Sequence, residues 1–178
     1  IIQSYRPIWM EGQELDIFIP EYNFAIEYNG TAFHHSSRSQ FVNKFYSQKN
    51  KSNIYHYKKW KQCRDNNVIL LSIYDFYWIL ESKKEIYKSK IMHYLNLDNR
   101  IYARKCELKE LNNETAFLFY GDNHIEGKGF AYRNSKSYGL FYDNNLVMCC
   151  TIGEIYNQTA KCFKNKLHRI CTLRGTTV

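Results

Sequence analysis

The sequence predicts an α/β chain: a mixed sheet flanked by helices, followed by a smaller, truncated α+β unit. Three observations carry this. "LDIFIP" and "FAIEYN" are short runs rich in β-branched and aromatic residues, which favour strands. "IYHYKKWKQCRDN" fits a helix and leads into the unbroken apolar run "VILLSIYD", the pattern of a strand following a helix. After residue 97 the strand-like runs resume, and the chain reaches Val178 without a helix to cover them.

Taken in order, the first two runs are separated by "EYN" after Pro20 and predict an antiparallel hairpin that ends at Gly30. Residues 31–50 are polar and predict a loop. A helix over 54–66, closed by Asn66 and Asn67, places His56, Lys59 and Cys63 on one face. "VILLSIYD" predicts a buried strand. Residues 76–95 predict an amphipathic helix with Trp78, Ile79, Ile86, Ile91 and Leu95 as its apolar side. "NLDNR" at 96–100 reads as a linker, dividing a first domain (1–97) from a partial second one (98–178). In the latter, "SYGLFYDNNLVMCCTIGEI" predicts a hairpin turning at Asp143 to Asn145, and "KLHRICTL" a further strand. In "GDNHIEG", Asp122 and His124 suggest a site, but a polar turn with Gly121 and Gly127 explains them with less.

An apolar fraction of 44% and an aromatic fraction of 17% are enough to offset chain entropy and argue against disorder. Six scattered cysteines without a CxxC pair suit free thiols in a reducing compartment, so a cytoplasmic location is expected. No apolar run reaches membrane-spanning length, and a membrane role is not expected. A net charge of +8 favours an anionic partner. Its distribution is more informative than its total. From Arg38 to Arg64 the chain carries Arg38, Lys44, Lys49, Lys51, Lys58, Lys59, Lys61 and Arg64 with no acid, interleaved with aromatics such as Phe45, Tyr57 and Trp60. This is either a solvated lysine-rich face or a surface for nucleic-acid phosphates and bases.

The acids gather just before that stretch. Alternation puts Glu14, Asp16 and Phe18 on one face of the first strand and Ala25, Glu27 and Asn29 on one face of the second, so Asp16 and Glu27 can converge across the hairpin. Two neighbouring carboxylates repel, and a hard divalent cation such as Mg²⁺ or Mn²⁺ is an economical explanation. The competing reading leaves Asp16 at a solvent edge and pairs Glu27 with a lysine of the helix.

"LDIFIPEYNFAIEYNGTAFHH" followed by "YHYKKWKQCRDNNVILLSIYD" resembles the core of the very-short-patch-repair endonucleases and their phage homing-endonuclease relatives, within the PD-(D/E)XK nuclease superfamily. The resemblance spans residues 12–80 and implies a restriction-endonuclease-like core, phosphodiester hydrolysis, Mg²⁺ and double-stranded DNA. It further implies Asp16 as metal ligand, the Tyr28 carbonyl as another, and His34 as catalytic histidine. Glu27 and Asn29 take the Glu-x-Lys positions, with asparagine in place of lysine, and His56 and Lys59 match the His-x-x-Lys of the phage relatives. Asn29 would then orient water or substrate, while Arg38, Lys44, Lys49, Lys51, Lys58, Lys61 and Arg64 would bind DNA. The family's acidic residue on a helix upstream of the first strand falls ahead of Ile1. A phage or prokaryotic host is the implied source.

The segments "IYARKC", "NHIEGKG" and "LHRICTLRGTTV" resemble a piece found after the nuclease core in such phage proteins, with an acetyltransferase-like outline. Two rivals to the endonuclease therefore stand: a nucleic-acid-binding module that keeps the fold without turnover, and an acyltransferase-like modifier of nucleic acid.

Overall fold

The structure is a computed structural model and describes residues 1–30, 55–128, 134–154 and 165–178. It is a mixed α/β chain with two compact units, Ile1–Lys84 and Glu85–Val178.

The first unit holds a four-stranded sheet of β1 (Ile2–Tyr5), β2 (Leu15–Ile19), β3 (Phe24–Asn29) and β4 (Ile69–Tyr74), in that spatial order. The predicted hairpin is β2–β3, antiparallel with Phe18 opposite Ala25. Its connection is a single 3₁₀ turn, Pro20–Tyr22, ended by Asn23 at φ 45°, where asparagine tolerates the left-handed conformation. β4 runs parallel to β3, which requires a long crossover; helix α1 (Tyr55–Asp65) lies within it. Met10, Leu15, Phe18, Ala25, Cys63 and Val68 form the core, with Tyr5, Trp9 and Leu70 packed against it. The Tyr5 and Phe18 rings stack at 4.8 Å across β1 and β2.

Two expectations are corrected here. Among the described residues β4 has β3 as its one neighbour; Ile69 is 45% exposed, and Ile73 is the buried residue of the strand. An apolar run shows that a strand has cover, but not how many strands flank it. The helix expected over 76–95 is two: α2 (Asp75–Trp78) and α3 (Glu81–Tyr94). The Ile79 N–H closes the first on the Asp75 carbonyl, and the Leu80 carbonyl opens the second by accepting from Lys83 and Lys84. The break leaves Ile79 78% exposed, while Ile86 and Tyr87 are buried in α3.

The second unit holds an antiparallel sheet of β6 (Glu107–Leu111), β7 (Ser135–Tyr142), β8 (Asn145–Glu154) and β9 (Asn165–Thr172), again in chain order. The predicted turn joins β7 to β8 through Asp143 and Asn144, both at positive φ, as tight hairpins require. At Gly139 a Cβ would lie 2.5 Å from Leu146 Cδ1, so a larger residue there would have to displace that side chain. The supposed linker is structured, since β5 (Asn99–Arg100) pairs in parallel with β10 (Thr176–Thr177). The sheet also has the covering helix that the sequence seemed to lack. It is α4 (Asn113–Asn123), capped by Asn112, whose side chain accepts from the Thr115 N–H at 2.8 Å. Ala116, Phe119 and Tyr120 of α4 pack with Cys149 of β8. "NETAFLFYGDN" conceals this helix because its apolar residues are not confined to one stripe; Leu118 is 54% exposed. Among the described residues, no helix is long and apolar enough to cross a membrane.

Candidate active site at the open end of the first hairpin

The β2–β3 ladder runs from Ile19 opposite Phe24 to Ile17 opposite Ile26. One step further, Asp16 falls opposite Glu27 on the same face, and the side chain takes over from the ladder: Asp16 Oδ2 accepts the Tyr28 N–H at 2.7 Å. A residue's N–H and C=O leave a strand towards the same neighbour, so the Tyr28 carbonyl faces the gap that Asp16 fills. The convergence of Asp16 and Glu27 expected from alternation is therefore present.

The face of β3 that bears Glu27 is buried throughout: Ala25 and Asn29 are 0% exposed and Glu27 is 6%. Above Glu27 lies α1, which buries Lys59 and Cys63 one turn apart. Lys59 Nζ donates to Glu27 Oε1, forming an ion pair with both side chains out of water. At Glu27 the structure thus shows the lysine pairing offered as the competing reading. It also leaves capacity: Glu27 Oε2 and both amide atoms of Asn29 are buried without a hydrogen-bond partner among the described residues. Burial raises the Glu27 carboxyl above its ordinary pKa; the Lys59 hydrogen bond and charge oppose this, and the Asp16 charge adds to it. Burial likewise pushes the Cys63 thiol up to about 11, against the Lys59 charge.

The other expected residues fall in four places. His34, Arg38, Lys44, Lys49 and Lys51 lie outside the described residues. His56 sits in the first turn of α1, half-buried and edge-on to Tyr55 at 5.3 Å. Lys58, Lys61 and Arg64 are exposed on α1 beside Tyr57 and Trp60, whose rings are 5.9 Å apart; the Arg64 guanidinium lies 4.8 Å from the Trp60 ring. Asn29, grouped by sequence with the DNA-facing residues, is buried away from that surface.

Comparison with protein families, characterised proteins and solved structures finds no match.

The residues fit a small hard cation within limits set by their number. Among the described residues, no three His, Cys, Asp or Glu side chains gather as a metal-binding group. Mg²⁺ needs fewer, being held through one or two carboxylates with water filling the rest. Asp16, the Oε2 of Glu27 and the Tyr28 carbonyl would make such a set. Tyr55, one of the aromatics interleaved with the bases, stands four residues before Lys59 on α1, and its phenol is raised by burial, then by the charges of Glu27, Asp16 and Glu14.

Proposed function

We propose that the first unit is a Mg²⁺- or Mn²⁺-dependent DNA endonuclease with a restriction-endonuclease-like core, similar to the very-short-patch-repair and phage homing endonucleases. The observation that carries this is Asp16 and Glu27 on one face where the β2–β3 ladder opens, with Lys59 buried against Glu27. Beside it α1 exposes three cations and two aromatic rings, the equipment for phosphate and base contact.

The bound cation would supply Lewis-acid polarisation of the scissile phosphate and a more acidic water. The chain's own residues do the rest. Asp16 is held in place by the Tyr28 N–H, so its second oxygen is presented at a fixed angle. Lys59 neutralises Glu27 and opposes the upward pull of burial on its carboxyl pKa. His56, one turn before Lys59, is assigned to donate towards developing negative charge by the resemblance. His34 is assigned the role of general base by the resemblance alone; an imidazole has a reference pKa near neutrality, about 6.5, suited to that task. Lys58, Lys61 and Arg64 hold the duplex backbone.

The test is nicking of supercoiled plasmid with Mg²⁺ or with EDTA. Nicking should occur with Mg²⁺, vanish with EDTA, and be lost in Asp16→Ala and His34→Ala while DNA affinity stays within about twofold. The occupied Oε1 of Glu27 favours a second reading, a binding module without turnover. Salt-sensitive DNA binding with no nicking by the unmutated chain would establish that reading instead.

A further inference from the structure

The second unit holds a cavity of about 260 Å³ between α3, the C-terminal end of α4 and the end of β9. Lys90 and Arg174 border it, and among the described residues no carboxylate pairs with either; Glu85 pairs with Lys88 and Glu126 with Arg169. Ser89 Oγ accepts the Gly175 N–H at 2.8 Å, which leaves its own hydroxyl proton to donate. His124 Nδ1 accepts from the Glu126 N–H and the Arg169 guanidinium, both at 3.2 Å. Asn123 serves as a strut, its amide spent on the Phe119 carbonyl and the Arg174 N–H. Among the described residues no Asp or Glu lines the cavity, and Ile86, Ile125 and Ile170 supply its apolar wall.

Two cations and a hydroxyl donor without a compensating acid describe a site for an anion, and the isoleucines describe room for an apolar substituent on it. We propose that this cavity binds a small phosphate monoester through Lys90 and Arg174, with Ser89 donating to its oxygens. A concave site of this size takes a terminal phosphate and a few attached atoms, whereas a duplex presents its phosphates along a convex edge. This inference is independent of the nuclease reading of the first unit.

The experiment is calorimetric titration of the whole chain with inorganic phosphate and with phenyl phosphate, with a short DNA duplex as a separate arm. Phenyl phosphate should bind more tightly than inorganic phosphate, and Arg174→Gln or Lys90→Gln should weaken it about tenfold or more. Lys109→Gln, a cation outside the cavity, should leave it unchanged, and all three variants should keep the thermal midpoint of the parent. Absence of phenyl phosphate binding would overturn the proposal. So would equal weakening by Lys109→Gln, or an effect of Arg174→Gln and Lys90→Gln on duplex affinity alone.

Discussion

Lys59 is the residue on which the candidate site turns, because it is a charge without water. Its ammonium is buried against Glu27, and a buried pair is far costlier to break than to replace whole. Lys59→Met should therefore destabilise the chain by about 3–5 kcal/mol near neutral pH, mostly through the carboxylate left alone. The pH dependence gives this loss a signature. Burial already holds the folded-state Glu27 pKa above its ordinary 4.5, and removing Lys59 raises it further. A raised carboxyl opposes folding in full above its folded pKa, and the penalty lifts as pH falls through that value towards the unfolded one. Urea unfolding of parent and Lys59→Met at about pH 7.5 and about pH 5 should show the gap narrowing on acidification. An equal gap at both would mean that Glu27 is not the group left unpaired. The sequence made Asp16 and Glu27 legible because strand periodicity is two and needs no tertiary information. It left open whether Glu27 faced a metal or a lysine, because that depends on how α1 is rotated above the sheet.

At the scale of elements, the β2–β3 hairpin and α1 follow from local pattern, and so does the tight turn at Asp143 and Asn144. What escaped reading was set by neighbours. "VILLSIYD" has the composition of a fully covered strand, yet β4 is flanked on one side among the described residues, and Leu71 is half-buried. Leu15, in contrast, is 0% exposed in the core with Met10, Phe18 and Cys63. Leu15→Ala should cost about 3–5 kcal/mol and Leu71→Ala under about 2 kcal/mol, since cavity cost scales with how completely the site is packed. Chemical denaturation of the two variants checks this, and a reversed order would place the core on the wrong strand. The same dependence on context hid α4: its apolar residues ring the helix, and the signal that remained was the Asn112 cap. The two-residue pairing of β5 with β10 joins segments far apart in sequence, and neither carries a strand pattern of its own.

For the molecule as a whole, charge is the property that a solution measurement reads most directly. A net +8 spread evenly would give weak, diffuse attraction for polyanions, but here eight bases stand together between Arg38 and Arg64 after an acidic stretch. Three of them, Lys58, Lys61 and Arg64, share the exposed side of α1, while Lys59 is turned inward and neutralised. If α1 lies on a duplex, these three release counterions from DNA and Lys59 does not. The slope of log K against log salt should then become shallower by about 0.9 for each of Lys58→Ala, Lys61→Ala and Arg64→Ala. Trp60→Ala should instead weaken binding with little change of slope, because stacking displaces no counterions. Fluorescence anisotropy of a labelled duplex across a salt series separates the two effects. An unchanged slope in all three lysine and arginine variants would move the DNA contact off α1 and remove the basic surface from the nuclease proposal. A shallower slope with Trp60→Ala silent would keep the electrostatic contact but leave the exposed aromatics without a role in it.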